Sequence, residues 1–216
     1  MSRLDPSDMR TFRSLFLSLA LITVATFAQA DVDKDPAKSP EVVRLLQAKQ
    51  TMKWNHPIGA ERYGHAEALV GASVEQLGKT ISDYGHYREL HPKFSTARVI
   101  AKESNRTDVY MRYPVKIGLI RIEMYEVLRF TPDGVSDGKH VVEARGISGD
   151  MRSAHTIITF RAVDATHSLL QVDVLLVPKL PAPQRFIDEE LRDGAEDFVN
   201  GLKDKAQGWA GPVVSL

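Results

Sequence analysis

The densest concentration of reactive side chains in this sequence is the stretch "SDYGHYRELHP" at residues 82–92. It holds Asp83, Tyr84, His86, Tyr87, Arg88, Glu89 and His91. An imidazole beside a carboxylate can move protons, and two imidazoles on one helix face can hold a metal. The spacing argues against both. His86 and His91 are five residues apart, whereas a helical metal pair needs i, i+4. Tyr84, Tyr87 and Leu90 recur at three-residue steps and form one helical face, leaving His86 and Arg88 to solvent. The stretch therefore reads as a structural helix that closes one end of a sheet. The other reactive motifs are absent. There is no G-x-S-x-G nucleophile elbow, no H-E-x-x-H and no G-x-x-x-x-G-K-[ST] phosphate loop. The 7 histidines are scattered along the chain, so no metal and no cofactor is expected. The absence of cysteine removes thiol catalysis, Cys-ligated zinc and disulfides together.

Strand parity supplies a sharper candidate. Along "IRIEMYEVLRF", one face carries Ile122, Met124, Glu126, Leu128 and Phe130, and Glu126 is its sole polar member. The in-phase positions of neighbouring runs are similar. "DVYMRYP" gives Val109, Met111 and Tyr113. "KHVVEARG" gives His140, Val142 and Ala144. "SAHTIITFRA" gives Ala154, Thr156, Ile158 and Phe160. Apolar walls with a few orienting polar groups are what a small-molecule pocket requires. The competing reading places Glu126 and His140 at strand ends or a rim, or pairs them with arginine. Near the C-terminus, Leu191, Gly194, Phe198 and Gly201 share one helical face. Glycine inside a helix costs roughly 1 kcal/mol relative to alanine, so these two positions need room, for close sheet contact or for a ligand. The candidate ligand-binding set is Met111, Tyr113, Met124, Glu126, His140, Val142, Thr156, Ile158, Leu191, Gly194 and Phe198.

These residues sit on elements that the pattern also outlines. Residues 1–30 read as a secretory signal peptide: Arg3, Arg10 and Arg13, then the apolar run "LFLSLALITVATFA", then "AQA". That run of about 14 residues is short of the roughly 20 needed to span a bilayer. Residues 31–58 read as a linker and an amphipathic helix capped by Ser39, with Val42, Leu45, Leu46, Lys49 and Met52 in one stripe. "NHPIG" breaks the pattern and marks a border, so the main domain is expected over 59–210 and a tail over 211–216. Within the domain come one strand, two short helices, six further strands and a long helix over about 182–208, whose stripe runs from Ile187 through Trp209. The 216 residues are 43% hydrophobic and 26% charged, with 28 basic and 28 acidic side chains. Zero formal charge argues against a general nucleic-acid binder.

That order resembles the START-like superfamily, also called SRPBCC, with its polyketide cyclase/dehydratase and coenzyme Q-binding-like members. "SVEQLGKTISDYGHYRELHPKFSTARVI", "VPKLPAPQRFIDEELRDGAEDFVNGLKDKA" and the strand ladder between them carry the resemblance. It implies an α+β helix-grip fold: a curved antiparallel sheet of about seven strands around a long C-terminal helix, enclosing an apolar cavity. The expected function is an exported, periplasmic or secreted binding or carrier protein for a hydrophobic small molecule such as a lipid, isoprenoid or polyketide-like compound. It would have no nucleic-acid partner and no stable membrane insertion after leader cleavage. The alternative is a cyclase/dehydratase-type enzyme with Glu126 or His140 as general acid or base.

Overall fold

The computed structural model describes residues 35–208, apart from 92 and 118. The expected leader at 1–30, the stripe residue Trp209 and the tail at 211–216 lie outside the described residues. No helix among the described residues is long and apolar enough to cross a membrane.

Eight antiparallel strands form one sheet in the order β1-β2-β8-β7-β6-β5-β4-β3. They are β1 Met52–Ile58, β2 Glu61–Val70, β3 Thr96–Lys102, β4 Thr107–Ile117, β5 Ile120–Ser136, β6 Lys139–Gly149, β7 Met151–Ala162 and β8 Ser168–Pro178. Register shifts at Val99/Ala101, Val127/Leu128, Pro132/Gly134 and Met151/Ser153 mark bulges, which bend and twist the strands they interrupt. The curved sheet grips the helix α4, Gln184–Gly208.

The inward face follows the parity read from the sequence. Val109, Met111, Met124, Leu128, Phe130, Val142, Ala144 and Ile158 are all buried in one core with Ala195, Phe198 and Leu202 of α4. The two α4 glycines differ in kind. A Cβ at Gly201 would overlap the Leu90 carbonyl, so glycine there permits a close backbone approach. A Cβ at Gly194 would meet nothing within 4 Å.

Between β2 and β3 the chain crosses one end of the sheet. Helix α2, Val74–Ser82, starts with a capping box between Ser73 and Gln76, satisfying two otherwise orphaned N–H groups. The stretch read as one continuing helix is instead a 3₁₀ turn, Tyr84–His86, followed by a four-residue α3, Tyr87–Leu90. The facing is as expected: Tyr87 and Leu90 are buried, and His86 and Arg88 are exposed. Tyr87 donates its hydroxyl hydrogen to the Ile81 carbonyl (2.5 Å) and packs edge-on to Phe130 and Phe198.

The N-terminal segment departs further from expectation. Helix α1, Pro40–Ala48, is capped by Ser39, and it docks through Val42 and Leu45, but Leu46 is 59% exposed. Lys49 turns into the left-handed region (φ 55°) and ends the helix, so Met52 begins β1 instead of extending the helical stripe. The "NHPIG" segment is therefore no border: the chain pairs Met52–Ile58 with Glu67–Glu61 in an edge hairpin. This strand brings the sheet from about seven strands to eight.

Candidate functional site

A cavity of about 130 Å³ lies between α4 and the concave face of the sheet, toward the start of the helix. Its walls are apolar: Met111, Leu128, Phe130, Met151, Val174 and Leu176 from the sheet, Phe94 from the α3–β3 connection, and Phe186, Ile187, Leu191 and Phe198 from α4. Of the expected set, Met111, Tyr113, Thr156, Leu191, Gly194 and Phe198 line it.

The other five do not. Met124, Val142 and Ile158 face inward but are consumed by core packing. His140 stacks on Phe160 (centroids 4.8 Å apart), and Phe160 lies against the α2 glycine Gly78. That places His140 at the sheet end near α2, away from the residues that line the cavity. Glu126 lies behind the wall. It is 2% exposed and sits in a niche formed by Gly146 and Gly149, where a Cβ would strike its carboxylate. It pairs with no arginine among the described residues, and it faces the junction of β6 and β7, in register with Gly149. One oxygen accepts the Met151 N–H at 3.2 Å. Burial holds its pKa above the ordinary carboxylate value, against the lowering effect of that bond.

Among the described residues, five polar side chains also line the cavity, Tyr113, His91, Lys93, Thr156 and Glu190, and burial raises the Glu190 pKa. Tyr113 is 9% exposed, and its hydroxyl has no hydrogen-bond partner among the described residues. Burial, then the neighbouring Glu126, hold the phenol well above its ordinary pKa, so it is a neutral donor. His91 was not anticipated as a wall residue. It stacks on Phe94 at 4.6 Å, and its Nδ1 accepts the Lys93 N–H at 3.1 Å, which leaves the proton on Nε2. Burial lowers its pKa to about 4 despite Asp197 nearby. Around it, Lys93 lies 3.4 Å from Asp197 and 3.8 Å from Glu190.

A second polar cluster occupies the opposite face of the sheet. On β2, Ala66 and Ala68 point into the core, so Tyr63, His65 and Glu67 point away from it. His65 pairs across the sheet with Trp54 and Asp173, and His56 lies one step along β1. The Asp173 carboxylate receives His56 Nε2 at 2.6 Å and His65 Nδ1 at 2.7 Å. Burial alone would lower the His65 pKa; its bond to Asp173 and the nearby Glu67 carboxylate outweigh this and raise it to about 9. Beside this cluster, the Tyr63 hydroxyl meets His155 Nδ1 at 2.7 Å. Histidines scattered in sequence are thus gathered in space by strand register.

With the geometry in place, known proteins supply a comparison. No protein-family model matches the sequence, and no curated protein matches it. Solved structures do match in shape. The human StAR-related lipid transfer protein 5 superposes with a TM-score of 0.62 at 11% identity, covering 76% of this chain and 92% of that one. A STAR-related lipid transfer protein from Xanthomonas axonopodis gives 0.61 at 13%, covering 74% and 94%. An aromatase/cyclase from a Streptomyces species gives 0.51 at 11%, covering 77% and 100%. The fold is the START helix-grip fold.

Proposed function

We propose that this chain is an exported binding or carrier protein for a hydrophobic small molecule held between the sheet and α4. One observation carries the reading: an apolar cavity lined by Tyr113, whose buried hydroxyl has no hydrogen-bond partner among the described residues. A buried polar group without a partner costs about 1–3 kcal/mol. A ligand oxygen accepting from Tyr113 would remove that cost and orient an otherwise featureless apolar body. The ligand class is therefore a hydrophobic molecule with a carbonyl, hydroxyl or carboxyl oxygen at its inner end. Likeness in shape to two lipid transfer proteins supports this reading.

Size constrains it further. The cavity is near the ~150 Å³ engineered void that accepts benzene and well under the roughly 300–1,000 Å³ of ordinary ligand pockets. The described conformation admits one ring or a short chain segment. A full lipid requires the first turns of α4, with Phe186 and Ile187, to move outward.

The test is native mass spectrometry of gently purified protein, followed by binding of a fluorescent fatty acid to Tyr113→Phe. A co-purifying apolar molecule and a roughly tenfold weaker probe affinity in the variant are expected, about 1.4 kcal/mol for one lost hydrogen bond. Equal affinity in the variant removes Tyr113 as the anchor. Export rests on residues 1–30 and is tested separately: N-terminal sequencing of secreted protein is expected to begin at Asp31, and a start at Met1 overturns it.

A cyclase/dehydratase-type enzyme is the second reading, favoured by Glu126. A buried carboxyl with a raised pKa beside a phenol is a proton source that could act through Tyr113. Glu126→Gln keeps the shape. It should abolish turnover if the chain is an enzyme, and alter affinity only modestly if it is a carrier.

A further inference from the structure

We infer that His56, His65 and Asp173 on the outer face of the sheet form a binding site for a divalent transition metal, best matched by zinc. The ligand atoms of these three residues lie within 4.8 Å of one another. They come from three adjacent strands, β1, β2 and β8, so their backbones are fixed relative to one another by sheet register. Two imidazoles and one carboxylate, with a fourth position left for water, are a donor set that Zn²⁺ accepts in tetrahedral geometry. Asp173 and His65 are largely covered, while His56 is one-third exposed and gives an ion access from solvent.

The surroundings supply a second and independent argument. His65 presents Nδ1 to the cluster and Nε2 to the far side, where it is buried without a hydrogen-bond partner among the described residues. Glu67 Oε2 stands 3.7 Å from that nitrogen. Glu67 is itself fixed by Arg44, whose Nε donates at 3.1 Å, and by Gln171 Nε2 at 3.1 Å. Metal-bound histidines commonly turn their second nitrogen to a carboxylate, which sets the tautomer and strengthens the ligand. Trp54, whose ring lies tilted against His65 with centroids 4.3 Å apart, restricts ring rotation. A surface ion pair would require none of this support. The site lies on the face opposite the cavity, so it does not depend on the proposed ligand.

Imidazoles bind metal only when deprotonated, so Zn²⁺ must displace the proton that His65 shares with Asp173; the experiment is a titration at pH 8 of untagged full chain with Zn²⁺ by calorimetry and with Co²⁺ by visible absorption. One Zn²⁺ per chain and the visible bands of a low-coordinate Co²⁺ are expected. His56→Ala removes an accessible ligand with little demand on folding, and Asp173→Asn preserves shape. Each should weaken binding at least about tenfold, and Glu67→Gln about tenfold through the outer shell. His86→Ala, beside Asp83 on the exposed turn, should change nothing. Absence of the Co²⁺ bands in the unaltered protein, or Zn²⁺ binding undiminished in His56→Ala, overturns the assignment.

Discussion

At the scale of single residues, His91 links the cavity to pH. Its ordinary pKa is 6.5, and in the folded chain it is about 4. The folded state thus refuses a proton that the unfolded chain accepts below pH 6.5. The sign follows: stability is present above pH 6.5 and is lost as pH falls through that value toward 4. At about 1.4 kcal/mol per unit, the effect reaches roughly 3 kcal/mol. The groups facing His91 are Lys93, Asp197 and the Gly194 carbonyl, and none keeps the ring charged. His91→Asn retains a side-chain acceptor for the Lys93 N–H but cannot titrate. Urea midpoints at pH 7 and pH 4.5 should show the wild type losing more stability than the variant. Equal losses would show that His91 contributes nothing to acid sensitivity. A parallel NMR titration should leave the His91 ring resonances unmoved down to about pH 5.

At the scale of elements, the faces were legible in the sequence and positions along them were not. Alternation assigned Met111, Tyr113, Met124, Glu126, Val142, Thr156 and Ile158 to one side because side-chain period in a strand is two. It carries no information about where along the strand the helix leaves a gap. Hence Val142 and Ile158 are packed while Met111 and Thr156 reach the cavity. Strand β1 was hidden by Pro57, which is tolerated because β1 is an edge and pairs only with β2. Likewise "TPDGVSDG" holds two Asp-Gly steps. The first belongs to a bulge at Gly134 (φ 93°), and only Asp137–Gly138, both at positive φ, turns the hairpin. The clustering of His56, His65 and Asp173 was invisible because it depends on the register of three strands.

The long helix gives the element-scale prediction. Gly194 and Gly201 looked alike in sequence, yet one faces the cavity and the other faces the Leu90 backbone. Gly194→Leu should keep the fold, gaining up to about 1 kcal/mol from helix propensity, and should abolish binding of an apolar fluorescent probe by filling the space. Gly201→Ala gains the same propensity but overpacks against rigid backbone, so a net loss of about 1–3 kcal/mol is expected. Thermal unfolding of both variants beside probe titration checks the pair. A stable Gly201→Ala, or a Gly194→Leu that still binds, contradicts the roles assigned to these two glycines.

At the scale of the whole molecule, the core alone holds the fold, because the chain has no cysteine with which to close a loop. A cavity within that core removes contacts and costs stability in proportion to its volume. Filling it returns them. Binding to the folded chain alone stabilises it by RT ln(1 + [L]/Kd), about 2.7 kcal/mol at one hundred times Kd. In a domain of about 150–250 residues, each kcal/mol raises Tm by about 2–4 °C. A saturating fatty acid should therefore raise the Tm of the wild-type protein by about 5–11 °C and leave that of Gly194→Leu unchanged. The comparison separates occupancy of the grip from adhesion to the surface, since an apolar probe that sticks to exposed Leu119, Ile120 or Leu180 meets the same surface in both proteins. A rise of equal size in both would place the bound molecule outside the cavity and remove the physical basis for a carrier.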